Sequence, residues 1–177
     1  MQKKNLISVI IPTYNHYGRD IGLSTLIQSL LLTSNTKFIG EIIVVDNGNS
    51  LATNKLESVN QKIRVVSETK IGLNHARNTG VNNANFDTVA FIDDDITVSA
   101  DWASGIIEGH SNDGILCVGG AVLVDNKDSV TYPHWFSNYF LRFLLPPKFP
   151  EQAGVICSPY FLIGTNISFK KQAFDKF

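Results

Sequence analysis

Four short apolar runs alternate with more polar stretches along the first half of the chain: LISVIIP (6–12), EIIVVDN (41–47), KIRVVSE (62–68) and TVAFIDDD (88–95). Each is β-branched and almost continuously apolar, the pattern of strands covered on both faces, and together they predict a parallel sheet. Between the first two runs Ile21, Leu26, Ile27, Leu30 and Leu31 recur at helical spacing. Between the third and fourth, GLNHARNTGVNNA (72–84) reads as a short polar helix. Alternation of strand and helix predicts right-handed βαβ units, an α/β fold with a mostly parallel, Rossmann-like sheet flanked by helices on both faces. Farther on, SADWASGIIEGH (99–110) reads as a helix with Ser99 as its N-cap, and ILCVGGAVLV (115–124) as another strand. Residues 125–158 lose periodicity and become rich in aromatics and proline.

Composition narrows the class. A chain of 177 residues without repeats, low-complexity tracts or a clear linker predicts one domain with one sizeable core. A net charge of −1 gives no basic face for nucleic acid. Cys117 and Cys157 have no C-x-x-C spacing and no histidine partner nearby, and read as reduced packing residues. The start, MQKKNLISVIIPTYN, has too short an apolar run and no small-residue cleavage site for a signal peptide, and no run reaches the roughly 18 residues of a membrane span. The expected location is cytoplasmic, with membrane contact at most peripheral to the inner face of the plasma membrane.

In open α/β sheets, ligands sit beyond the carboxyl ends of the strands, at a switch in strand order. The residues there are Thr13, Tyr14 and Asn15 after the first run, Asp46 and Asn47 after the second, and Asp93, Asp94 and Asp95 after the fourth. On a continuing strand Asp93 and Asp95 point one way and Asp94 the other; once the chain leaves the strand that parity lapses. Two like charges about 5 Å apart repel by roughly 1 to 3 kcal/mol. A hard cation relieves the repulsion, and carboxylates completed by water and phosphate oxygens are how Mg²⁺ or Mn²⁺ is held. The plainer reading makes the aspartates turn residues and helix N-terminal charges. The planar cation of Arg77 suits bidentate contact with a diphosphate; otherwise it is a surface arginine on a helix. Asp46 at a strand end is otherwise a cap or turn acid. His16, His75, His110 and His134 form no ligand spacing.

Taken in order, IIPTYN (10–15), VVDNGNS (44–50), GLNHARNTG (72–80) and FIDDD (91–95) resemble the family 2 glycosyltransferases, inverting enzymes of GT-A fold, over essentially residues 6–177. The resemblance implies a nucleotide-sugar donor, a UDP-sugar by family frequency, and a saccharide or lipid-linked hydroxyl acceptor, in polysaccharide or glycoconjugate assembly. It implies that Pro12, Thr13 and Tyr14 line the base pocket, that Asp46 accepts hydrogen bonds from base or ribose, and that Arg77 faces the nucleotide. Asp94 then lies toward ribose and metal, with Asp93 and Asp95 as metal ligands; both the 93/95 and the 94/95 pairings satisfy the pattern. The family often has a second acid after Asp46, where this chain has Asn47. In the family the general base follows a stretch similar to IGTNISFKKQAFDKF (163–177), so it is expected beyond Phe177, the chain being a donor-binding portion of weak or no activity alone. Asp175 falls in a helix-like part of that stretch and Glu151 carries no mark, so neither is nominated.

Three further readings stay open. The aromatic stretch TYPHWFSNYFLRFLLPPKF (131–149), with Trp135, Phe136, Tyr139, Phe140, Phe143, Leu144 and Leu145, suits a core segment or lid, an acceptor wall or homodimer contact, or a membrane-interface segment. FIDDDITV also satisfies D-x-D-x-T of haloacid-dehalogenase-like phosphatases, with Asp93 as nucleophile, Asp95 as acid/base and Thr97 on the phosphate. That motif belongs on a first strand and needs a later acidic pair, which this sequence lacks. A non-catalytic nucleotide-binding domain is the remaining alternative.

Overall fold

The computed structural model describes residues 5–14, 20–32, 34, 36–48, 56–112, 114–123, 133–137, 153–157 and 161–175. Asn15, His16, Glu151 and residues 138–149 of the aromatic stretch lie outside them, as does the side chain of Ile21. The elements are β1 (Ile7–Thr13), α1 (Asp20–Leu32), β2 (Ile39–Asp46), β3 (Ile63–Ser67), α2 (Leu73–Asn83), β4 (Thr88–Ile92), α3 (Trp102–Gly109), β5 (Cys117–Gly119) and β6 (Asn166–Lys170). They form one six-stranded sheet in the order β3-β2-β1-β4-β6-β5. The first four strands pair in parallel, while β6 runs antiparallel to both β4 and β5.

Every residue of β1 is buried, because helices cover both faces of the central strand. Ile7, Val9 and Ile11 pack with Leu23, Leu26, Ile27 and Leu30 of α1 and with Ala103 and Ile106 of α3. Ile10 points to the opposite side and packs with Ala76 and Val81 of α2 and with Val89 and Phe91 of β4. The expected α/β class is thus what the chain adopts, with the period-2 alternation dividing the core between the two faces. Among the described residues no helix is long and apolar enough to cross a membrane.

Several local expectations need correction. The fourth strand ends at Ile92 rather than Asp95. Its ladder with β1 stops at Ile10↔Phe91, two residues short of Pro12, which has no N–H to offer, and the acidic residues leave the sheet. Helix α3 begins after Asp101, not after Ser99, whose hydroxyl is spent on the Asp101 carboxylate at 2.6 Å. The strand expected over 115–124 is only Cys117–Gly119, since its sole partner among the described residues is β6. The segment expected to be helix-like near Asp175 has a single 3-10 turn, Lys171–Ala173, after β6. Both cysteines are free thiols, but Cys157 is exposed and not packed. In the aromatic stretch Trp135 is 70% exposed and meets the edge of Phe136.

Helix α2 lies close on the sheet at Gly80, where an added Cβ would fall 2.3 Å from Cγ2 of buried Ile10. Alanine at this position gains about 1 kcal/mol of helix propensity. Overpacking against a stiff β-branched side chain costs about 2 to 3 kcal/mol. Gly80→Ala is therefore expected to destabilise by about 1 to 2 kcal/mol, the difference of these two terms, read as a lower denaturant midpoint. An unchanged midpoint would show that the helix can lift without cost.

Candidate functional site

The parallel register brings the ends of three strands level. Thr13 of β1 pairs with Asp46 of β2, which pairs with Ser67 of β3. Thr13 and Asp46 are buried although polar, at the rim of an apolar sheet. Beyond the strands the Asn47 N–H donates to the Thr13 carbonyl at 2.9 Å, and the Glu68 N–H to the Asp46 carbonyl at 3.0 Å. Pro12 is buried within β1, while Tyr14 just past it is exposed, its ring resting on Gly48, where a Cβ would lie 3.1 Å away. The pair β1 and β4 flanks the point at which strand order reverses, with β2 and β3 on one side and β6 and β5 on the other.

At that reversal the three aspartates diverge. Asp94 is 5% exposed, and the Thr13 hydroxyl donates to its Oδ2, joining the end of β1 to the acidic turn. Asp93 turns the other way: its Oδ2 accepts from the Thr165 hydroxyl at 2.5 Å, and its Oδ1 lies 3.6 Å from Nη2 of Arg77. Asp95 is exposed. The first two aspartates thus keep a strand-like alternation after the strand has ended, and the third is left to solvent.

Arg77 sits on α2 one turn from its start, with its guanidinium over the Phe91 ring at 5.6 Å. Its Nη2 donates to the Gly164 carbonyl at 3.0 Å, and its Nε is buried with no hydrogen-bond partner among the described residues. Asn74, Asn78, Leu162 and Phe174 join it around a cleft of about 520 Å³ on the α2 side of Asp93. Arg77 is therefore the residue common to the acidic turn and the cleft. Its positive charge offsets one of three neighbouring negative charges, leaving two.

Pro12, Thr13, Tyr14, Asp46 and the three aspartates thus gather along one edge of the sheet, and Arg77 reaches Asp93 from α2. Among the described residues no three His, Cys, Asp or Glu side chains form a ready metal cluster. Carboxylates at such a turn suit a hard cation such as Mg²⁺ or Mn²⁺ only if water and ligand oxygens complete its shell, and do not suit a caged structural metal. Sequence reasoning missed Thr165 and Gly164, which hold Asp93 and Arg77, and the bonding of Asn47. The small polar run Gly164-Thr165-Asn166 at the start of β6 was the available signal.

Two curated relatives align with nearly the whole chain. Polypeptide N-acetylgalactosaminyltransferase 8 of Drosophila melanogaster is 27% identical over 172 residues, covering 90% of this chain and 29% of that protein. Glucosyl-dolichyl phosphate glucuronosyltransferase of Haloferax volcanii is 26% identical over 175 residues, covering 95% of this chain and 53% of that protein. The chain thus spans from under a third to about half of their lengths. Among solved structures, S. aureus TarS is similar with a TM-score of 0.48 at 26% identity, over 59% of this chain and 33% of that one. GalNAc-T7 with UDP, GalNAc and Mn²⁺ has a TM-score of 0.49 at 23% identity, over 55% of this chain and 19% of that one. The sequence pattern of the family described as Glycosyl transferase family 2 matches residues 8–177, and the chain belongs to that family.

Proposed function

We propose that the chain is the donor-binding part of an inverting, metal-dependent glycosyltransferase that takes a sugar from a nucleoside diphosphate, with UDP the favoured carrier, to a hydroxyl acceptor. One observation carries the reading: the hydrogen bond from Thr13 to Asp94 unites the base-pocket strand end with the acidic turn at the point where strand order reverses. A nucleotide lying along this edge has its base near Pro12, Tyr14 and Asp46, its ribose near Asp94, and its diphosphate near Asp93 and Asp95. Family membership favours transfer over the phosphatase alternative. The engagement of Asp93 by Thr165 and Arg77 also speaks against a free nucleophile there.

Each residue has a physical task in this scheme. Asp46 accepts hydrogen bonds from base or ribose. Arg77 keeps the acidic turn from carrying three uncompensated charges, and its field favours the anionic diphosphate. Asp95 is the freer of the two proposed ligands, while Asp93 shares its charge with Arg77. A divalent ion bound by them would stabilise the charge that grows on the leaving diphosphate. Proton removal from the acceptor hydroxyl requires a base that none of the residues discussed supplies. The acceptor is proposed as a saccharide or a lipid-linked glycan, with residues 131–149 as a wall for it or a contact between two copies.

Calorimetry with UDP, with and without Mn²⁺, tests the proposal. Metal-dependent binding is expected; release of phosphate from a generic ester, or UDP affinity unaffected by metal, would sink it.

A further inference from the structure

We infer that Asn47 is a positioning residue that sets the shape of the donor pocket before any nucleotide arrives. The inference rests on the donor site proposed above, and its evidence is a set of bonds that tie the loop between β3 and α2 to one side chain. Asn47 is buried directly after Asp46. Its Nδ2 donates to the carbonyls of Glu68 at 3.0 Å and Lys70 at 2.8 Å, and its Oδ1 accepts the Gly72 N–H at 2.7 Å. With its own N–H on Thr13, the residue connects the ends of β1 and β2 to the whole loop between β3 and α2.

The chemistry of the loop explains why an amide is needed. Both carbonyls face inward and require donors, while Gly72 offers an N–H that requires an acceptor; a carboxamide is the side chain that supplies both from one planar group. Gly72 has φ of 142°, a conformation suited to glycine, and as the N-cap of α2 it has no side chain with which to cap the helix. Asn47 satisfies that N–H, and the Gly72 carbonyl accepts the Ala76 N–H in the first turn of α2. Arg77 follows at once. The pose of the guanidinium beside Asp93 is thereby linked through α2 to Asn47.

Both amide hydrogens of Asn47 go to carbonyl oxygens, so the side chain has no donor left for the nucleotide. The acid that the family pattern often has after Asp46 could accept the Gly72 N–H but could not donate to the Glu68 and Lys70 carbonyls. An aspartate here would lack both hydrogens and would set negative oxygens against the Glu68 and Lys70 carbonyls. The departure from the pattern is thus accounted for by the loop: asparagine is a pin, where an acid in the same place would be free for other work.

Hydrogen exchange and UDP titration in Mn²⁺ test the inference together. In the wild-type chain the Gly72 amide is expected to exchange at least about tenfold more slowly than an unstructured amide; free exchange there overturns the inference without any variant. In Asn47→Asp, protection of Gly72 and Ala76 should fall at least about tenfold while core amides of β1 and β2, such as those of Val9 and Ile43, keep theirs. The dissociation constant for UDP should rise about tenfold in the same variant. Asn47→Ala, which lacks donors but adds no charge, should show the same loss of protection with a smaller rise, and serves if the aspartate variant does not fold. Lost protection with unchanged UDP affinity overturns the positioning role. Absence of UDP binding by the wild-type chain strikes instead at the proposed function, and leaves the Gly72 exchange to decide whether the loop is pinned.

Discussion

Replacing Asp95 with alanine is expected to weaken UDP binding in the presence of Mn²⁺ by about 100-fold, roughly 2.8 kcal/mol at 1.4 kcal/mol per tenfold. The magnitude follows from the small donor set. Even residues that only orient metal ligands cost about 10- to 100-fold when removed, and here a ligand proposed to be one of two carboxylates is lost. Asp95 is exposed and makes no side-chain bond to the described residues discussed above that its loss would break, so the fold should be unchanged. Asp93→Asn should cost less at the metal, about tenfold, because that carboxylate already serves Thr165 and Arg77. It should, however, lower the denaturant midpoint, which Asp95→Ala should not. Titration of each variant with UDP, with and without Mn²⁺, checks the order. If Asp95→Ala binds UDP in Mn²⁺ as tightly as the parent chain does, the metal role assigned to this acid is wrong.

Removing Glu41 is expected to cost about 3 kcal/mol of stability, the usual result of breaking a buried charged network by deleting one partner. Its carboxylate lies at the opposite end of the sheet from the proposed donor edge. It accepts from Ser8 Oγ at 2.6 Å, from the Asn85 backbone N–H at 2.6 Å, from Asn85 Nδ2 at 2.8 Å and from Arg64 Nε at 3.0 Å. Glu41→Ala strands these donors, while Glu41→Gln keeps one acceptor oxygen and should cost about half as much. Urea unfolding of the two variants measures the difference, and a loss below about 1 kcal/mol for alanine would mean that the donors find water easily.

The same network makes the fold acid-sensitive. Burial by itself pushes the Glu41 carboxyl upward, but hydrogen bonds from Ser8, Asn85 and Arg64 outweigh it and hold the group below its ordinary 4.5. The unfolded chain therefore takes up a proton first as pH falls. The Glu41 contribution is complete above about 4.5 and is lost as pH drops through the lowered folded value. His110 adds an earlier step. Burial, with the nearby Lys170 charge, outweighs a hydrogen bond to the Ile115 carbonyl and holds the ring below its ordinary 6.5, so it stays neutral in the fold. Its two ring nitrogens bridge that carbonyl at 3.2 Å and Ser168 Oγ at 3.0 Å. Stability should thus begin to decline below about 6.5 and fall faster below about 4.5. The denaturant midpoint followed from about pH 7 to about pH 4 should show both steps, the second smaller in Glu41→Gln, where the lowered carboxyls of Glu68 and Asp101 remain.

Much of the site was legible because each of its parts announces itself locally. A β-branched run that stops at a polar residue marks a strand end, and three adjacent acids at such an end ask for a partner whatever the fold. The partners were another matter. Arg77 reads as a helix cation bound for a diphosphate, yet Asp93 and the Gly164 carbonyl lie within its reach, the latter 87 residues away. Asn47 read only as an acid missing from a pattern. Its value lies in two carbonyls and one N–H that a loop more than twenty residues later turns inward.

By itself the sequence determined the α/β class, the alternation that divides the core between two helix layers, and the set of polar residues at the strand ends, because burial on one face or two is recorded in periodicity over a few residues. Only the tertiary structure decided where β4 releases its aspartates, that β6 enters antiparallel beside it, and that Glu41, within an apolar run, is a buried network and not a solvent-facing charge. Those outcomes depend on hydrogen bonds between groups tens of residues apart, whose geometry exists only once the sheet is assembled, and no local pattern of side chains encodes it.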